Sequence, residues 1–213
     1  NLEKITRRVD AVLVTNPFIG KSVSPHNPRI IPHNNCVRES FLPTHIHKRN
    51  NDQLRIGYAG SQYRIEEFSK IWKALEDVSK IYKDRILFEF WGLDIKSLPS
   101  LSSPVIQKPF TFSYQYYLNK LRNSHFDILL TPLLDHPRPR LAKSLIKYYE
   151  TAVSGALGIF SDVVQYQSLP AGLTCLKAQN ATDAWYQTIV DAIEMDNEEF
   201  DTLRTRCLEH VRE

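Results

Sequence analysis

From residue 54 onward, short apolar runs alternate with longer stretches whose apolar residues recur every three or four positions, and few architectures accommodate that alternation. The runs are Leu54 to Tyr58, Ile86 to Trp91, Val105-Ile106, Asp127 to Thr131, Leu157 to Ser161 and Thr174 to Leu176. All have strand length, and most are closed by a nearby Gly or Pro. Between them, Phe68, Ile71, Trp72, Leu75, Val78 and Ile81 mark one helical face. A second helix is expected from about Ser113, with Tyr116, Tyr117, Leu118 and Leu121 toward the core. A third runs from Lys143 to Val153 and stops at Gly155. A fourth starts at Thr182 or Asp183, either of which can cap it, and carries Trp185, Ile189, Val190 and Ile193; a last one begins at Asn197. Strands apolar on both faces, joined by helical crossovers, imply a parallel sheet covered on both sides. The expected fold is α/β, a doubly wound, Rossmann-like parallel sheet over residues 52–213.

Residues 1–51 read differently. A short helix, a strand at Ala11 to Val14, a turn at Asn16-Pro17 and a small strand at Ile30-Ile31 make an incomplete unit. From Pro32 to Asp52 the chain is irregular and polar, the composition of an interdomain connection, so a boundary is expected near residue 50. The start lacks an initiator Met and the basic-then-apolar pattern of a signal peptide, and the chain reads as a piece of something longer. Its 213 residues, 42% hydrophobic, suffice for one large α/β domain or for one domain plus a fragment. No apolar run approaches the roughly 18 residues of a membrane span. Cys36, Cys175 and Cys207 are far apart and form no C-x-x-C pair, which supports neither a disulfide framework nor a zinc site and fits a reducing cytoplasm.

The net charge of +3 conceals a gradient: residues 1–64 hold ten Lys/Arg against four Asp/Glu, and residues 180–213 hold three against nine. No basic block is long enough for a duplex-binding surface and no nucleic-acid motif is present, so a small anionic ligand is the expected partner of the cations. In open parallel sheets ligands bind outside the carboxyl ends of the strands. Two segments stand there. Gly57-Tyr-Ala-Gly60-Ser61 follows the first strand, where a glycine lets backbone approach an anion and the next helix offers N–H groups; a plain tight turn is the competing reading. It matches neither G-x-G-x-x-G nor the P-loop, which removes the main support for dinucleotide binding and NTP hydrolysis. The second segment, Asp135 to Glu150, carries His136, Lys143, Ser144, Lys147 and Glu150. Spacings of 4 and 3 put Lys143, Lys147 and Glu150 on one helical face, with Lys143 and Ser144 in the first turn, where cations oppose the macrodipole unless an anion sits there. A diphosphate at Lys143 with a ribose at Glu150 is one reading, and a surface helix with a Lys147–Glu150 ion pair is the other.

The stretch Phe126-Asp-Ile-Leu-Leu-Thr-Pro-Leu134 followed by Ala142-Lys-Ser-Leu-Ile-Lys147-Tyr-Tyr-Glu150 and running on to Ser161 resembles the nucleotide-sugar-binding signature of GT-B glycosyltransferases of the family 4 / group 1 type. Ile56 to Ser61, Trp91-Gly92 and Trp185 add to the resemblance. So does Val9 to Thr15 followed by Arg29 to Asn34, which is similar to the end of the acceptor domain entering the linker. The resemblance covers about residues 52–213 and implies the C-terminal, donor-binding half of a GT-B fold. It implies that Gly60 and Ser61 face the diphosphate and that Lys143 contacts phosphate and donor sugar. Ser144 becomes a donor to phosphate, Glu150 the ribose ligand, and Lys147 and His136 further donor contacts. Arg64, the nearest cation after the glycine turn, would neutralise the leaving diphosphate. Where the family has another glutamate, eight positions before Glu150, this chain has Ala142. The activity implied is hexosyltransferase-like transfer from a nucleoside-diphosphate sugar to a glycan or lipid-linked acceptor, without cofactor or metal, since no D-x-D is present. It would take place in the cytoplasm or at the inner face of the membrane, in polysaccharide assembly. An acceptor domain preceding this chain would supply the rest of the site, leaving this piece inactive alone. Two alternatives stand beside it: a non-catalytic glycosyltransferase-like module that binds a sugar nucleotide or a protein partner, and an unrelated flavodoxin-like domain in which Lys143 and Glu150 have no role.

Overall fold

The computed structural model describes residues 2–49, 52–134 and 143–213. Its larger sheet has six strands: β3 (Leu54–Ala59), β4 (Ile86–Trp91), β5 (Val105–Lys108), β6 (Ile128–Thr131), β7 (Leu157–Ser161) and β8 (Leu176–Ala178). They are all parallel, in the order β5-β4-β3-β6-β7-β8. Numbered within this sheet the order is 3-2-1-4-5-6, the doubly wound arrangement that the alternation predicts. Helices α3 (Ile65–Tyr82), α4 (Tyr114–Arg122), α5 (Ile146–Ser154), α6 (Thr182–Glu194) and α7 (Asn197–Arg212) cover it. Because side chains alternate along a strand, Ile56, Tyr58, Phe88 and Phe90 pack on one face against Phe68, Trp72, Trp185 and Ile189 of α3 and α6. On the other face Ala59, Trp91, Leu129 and Phe160 pack against Leu118 and Leu121 of α4 and Tyr148 and Val153 of α5. Helix α7 joins the two, with Phe200 and Leu203 in the first core and Cys207 and Leu208 in the second.

A smaller unit precedes the sheet. After α1 (Leu2–Thr6), β1 (Val12–Val14) pairs in parallel with β2 (Ile30–Pro32), and α2 (Pro17–Val23) makes the crossover. That helix occupies what the sequence offers as a turn and a polar segment. Asn16 is its N-cap, accepting from the Phe18 N–H at 2.7 Å, and Pro17 takes the first helical position, where its missing N–H costs nothing. The polar connection after β2 is held by arginines. Arg49 donates to the carbonyls of Met195 (2.6 Å) and Ile193, closing the C-terminal end of α6. Arg204, 1% exposed, donates to the carbonyls of Gly155 (2.6 Å) and His47 (2.9 Å). Arg122 reaches the Ser40 carbonyl, Arg212 reaches that of Pro43, and Leu42 is buried beneath them. His47, inside the stretch whose composition reads as an interdomain connection, lies against Arg204 and 3.6 Å from the buried Asp127.

Other local departures have tertiary causes. Tyr116 and Ile81, both expected inward, are 61% and 60% exposed, since each stands at the margin of its helical stripe. The last strand begins at Leu176, two residues later than expected, and the N-cap of α6 is Ala181, so neither Thr182 nor Asp183 caps it. Gly155 does end α5, at φ +66°.

Candidate functional site

Strands β3 and β6 are neighbours whose chain connections leave in opposite directions, which opens a crevice beyond Ala59 and Thr131. The Gly60 N–H donates to the Trp91 carbonyl at 3.1 Å, joining the loops after β3 and β4. A Cβ on Gly60 would lie 2.2 Å from Tyr58 Oη, and one on Gly92, at φ +70°, would lie 2.2 Å from the Gly60 carbonyl. Crowding by the Tyr58 ring at Gly60, and by main chain together with a positive φ at Gly92, therefore accounts for both glycines, as the plain-turn reading has it. Ser61 is half-buried and, with Gly92, Asp94, Lys96, Gln107 and Phe110, lines a cleft of about 830 Å³ beyond β3, β4 and β5.

Helix α5 starts at Ile146, later than the periodicity suggests. Lys143 and Ser144 precede the helix and do not lie in its first turn, so Lys143 does not share a helical face with Lys147 and Glu150. The cause is tertiary: Asn16 Nδ2 donates to the Lys143 carbonyl at 2.8 Å and Asn35 Nδ2 donates to Ser144 Oγ, tying this segment to residues outside the helix. The pair still stands at the mouth of α5, where unpaired N–H groups favour an anion.

Glu150 is 4% exposed. Its Oε2 accepts from Lys147 Nζ at 2.6 Å and from Tyr117 Oη at 2.9 Å, and Lys147 also donates to the Ala59 carbonyl at 2.8 Å. The ion pair proposed as the bland alternative thus exists, buried, and it ties α5 to the end of β3 one residue before Gly60. Burial, followed by the Glu150 charge, pushes the phenols of Tyr117 and Tyr114 above the usual tyrosine range. Tyr166, 3% exposed, is likewise raised by burial, with the Arg64 charge opposing and those of Glu67 and Glu150 reinforcing. Arg64 stands at the N-cap of α3, paired with Glu67 on the next turn.

The structure brings Lys147 and Glu150 to the end of β3, one residue before Gly60, and holds Lys143 and Ser144 just ahead of α5; Ser61 lines the cleft beyond β3, β4 and β5, and Arg64 pairs with Glu67 at the start of α3. His136, with Ala142, lies outside the described residues. Sequence reasoning missed Tyr117, Asn16 and Asn35. Tyr117 had been assigned to packing alone, whereas the Asn16-Pro17 pair did carry a helix-start signal. Among the described residues no group of His, Cys, Asp and Glu is arranged to hold a metal ion, and no helix is long and apolar enough to cross a membrane.

No protein-family model matches the sequence, and no curated protein does. Solved structures match over nearly the whole chain. A sucrose-phosphate synthase from Thermosynechococcus elongatus superposes with TM-score 0.67 at 13% identity, covering 99% of this chain and 55% of its own. A glycosyltransferase from Rickettsia africae gives 0.67 at 11%, covering 99% and 61%. HepE of Anabaena, in complex with UDP and glucose, gives 0.69 at 10%, covering 97% and 59%. The chain thus spans between 55% and 61% of the length of these proteins. At such identities the likeness speaks to the fold alone, and that fold is a Rossmann-like α/β half of the GT-B type.

Proposed function

We propose that this chain is the donor-binding part of a glycosyltransferase, holding a nucleoside-diphosphate sugar in the crevice between β3 and β6 for transfer to a glycan or lipid-linked acceptor. The observation that carries the reading is the Lys147 bridge from Glu150 to the Ala59 carbonyl, which sets a buried carboxylate beside the bare backbone of Gly60 and the N-terminus of α5. A diphosphate fits the amides of α5 with Ser144 and Lys143, and Glu150 then faces a ribose. Breaking the anomeric C–O bond builds negative charge on the departing diphosphate. Fixed cations and aligned N–H groups stabilise such charge without reorganising. In this reading Lys143 and Arg64 supply it, with no resident cofactor or metal. A hexose donor, a preceding acceptor domain that completes the site, and a place in the cytoplasm or at the inner membrane face belong to the same proposal. The chain alone would then bind donor and transfer nothing.

The test is a thermal-shift panel of UDP, GDP, dTDP, ADP and CMP with their sugars. A ligand at 100 times its Kd stabilises by about 2.7 kcal/mol, which for a chain this size is roughly 5–11 °C. A shift with one base that Lys143→Ala abolishes supports the reading; no shift with any of them sinks it. Ala142, standing where a sugar-binding glutamate would be, favours a second reading: a module that binds the nucleotide sugar or a protein partner without transfer. Supplying the acceptor domain in trans separates the two, since only the first then yields product.

A further inference from the structure

On the α4 side of the sheet a groove of about 300 Å³ runs between α4 and strands β3, β4 and β5. Beneath the groove, in contact with its Arg55, Trp91 and Lys108, lies a carboxylate at a position where a covered sheet ordinarily carries an apolar side chain. Glu89 is wholly buried and accepts from Trp91 Nε1 at 2.6 Å, Lys108 Nζ at 2.5 Å and Arg55 Nη1 at 3.2 Å. One carboxylate is thus met by two cations. A third, Lys120, enters from α4 and has no carboxylate partner among the described residues: it donates to Thr111 Oγ1 at 3.0 Å and stands 4.8 Å from the centre of the Trp91 ring. Lys108 stands 5.2 Å from the same ring centre, so the two ammonium groups lie within about 10 Å of one another. The remaining wall is polar and neutral, with Asn119, Asn123 and Ser124, and no acidic side chain lines the groove.

Neutralising Glu89 needs one cation. Three were placed there, leaving two positive charges in a partly enclosed groove. We infer that this groove is a second anion site, which takes a phosphate group between Arg55, Lys108 and Lys120. The inference does not depend on the donor reading. Lys108 also borders the donor cleft, so it is left unchanged in the test, and Lys120, which touches only the groove, is the residue to vary.

The experiment titrates inorganic phosphate into the chain at constant ionic strength, followed by calorimetry, with and without saturating UDP. Phosphate is expected to bind whether or not UDP is present. Lys120→Met should weaken it roughly tenfold, the value of one charge-assisted hydrogen bond, and Lys120→Arg should restore it. Loss of phosphate binding on adding UDP, or indifference to Lys120→Met in a variant of unchanged melting temperature, would place the phosphate elsewhere and overturn the inference. Co-sedimentation with phosphatidylglycerol-containing vesicles identifies the source. Vesicle binding that phosphate displaces and Lys120→Met reduces assigns a lipid headgroup. Phosphate binding without vesicle binding assigns a free phosphate or phosphate ester, and binding of neither overturns the site.

Discussion

Replacing Lys147 with methionine removes one ammonium group and two hydrogen bonds from a half-buried position. Its Nζ lies 2.6 Å from Glu150 Oε2, which at an effective dielectric of about 20 corresponds to a gross attraction of about 6 kcal/mol. Much of that is offset by the desolvation of both groups. What the substitution leaves behind is the larger effect: a carboxylate 4% exposed that keeps the Tyr117 hydroxyl but has lost its counter-charge. Breaking a buried pair from one side typically costs about 3–5 kcal/mol. The Lys147 side chain is 28% exposed, and water can follow it, so about 2–4 kcal/mol is expected here. For a chain of this length that lowers the melting temperature by roughly 5–15 °C. Adding Glu150→Gln to Lys147→Met should recover at least half of the loss, because a neutral amide still accepts from Tyr117 and needs no counter-charge. Differential scanning calorimetry of the wild type, both single variants and the double variant measures the coupling directly. A Lys147→Met midpoint within 1 °C of wild type, or a double variant no better than the single, would refute the account of Glu150 as a buried, lysine-paired carboxylate.

Alkaline unfolding should be steep. Burial raises the phenols of Tyr58, Tyr117, Tyr148 and Tyr166 above their ordinary value near 10. The unfolded chain therefore loses these protons first as pH rises. Their contribution is complete below pH ~10 and falls above it by about 1.4 kcal/mol per pH unit for each tyrosine; urea midpoints flat from neutrality through pH 11 would contradict this. Gly92→Ala places a Cβ 2.2 Å from the Gly60 carbonyl at φ +70° and should cost at least about 2 kcal/mol while weakening nucleotide binding, read by calorimetry and by the thermal-shift panel. Arg204→Met leaves the carbonyls of Gly155 and His47 without their donor and should cost about 3 kcal/mol or more, with faster proteolysis between residues 33 and 49 as its signature. Chelation with EDTA should leave the nucleotide-induced shift unchanged; its loss would show that a cation takes part in donor binding.

The sheet was legible because its strands are apolar on both faces, so Ile56, Ile86, Ile128 and Ile159 announce themselves without knowledge of their neighbours. Helix α5 was legible in body and in its stop at Gly155, but not in its start, because nothing local to Lys143 and Ser144 reveals that Asn16 and Asn35, more than a hundred positions away, hold them out of the helix. The same limit applies to Glu150. Spacing placed it beside Lys147, whereas its burial depends on Tyr117 from another helix, and a tyrosine in an amphipathic stripe looks like packing. Periodicity reports which face of an element is covered. It does not report which polar atoms meet beneath the cover, and there Glu89 and Asp127 went unweighed.

The arginine contacts across residues 33–49 alter what counts as a module. Composition draws a line at residue 52, but a truncation there would uncover Leu42, strip the His47 carbonyl from a guanidinium that is 1% exposed, and leave the C-terminal carbonyls of α6 without Arg49. The connecting segment is anchored at both ends and in the middle, so it moves with the six-stranded sheet as part of its surface. A laboratory dissection that respects these contacts would cut before residue 33, upstream of that strap.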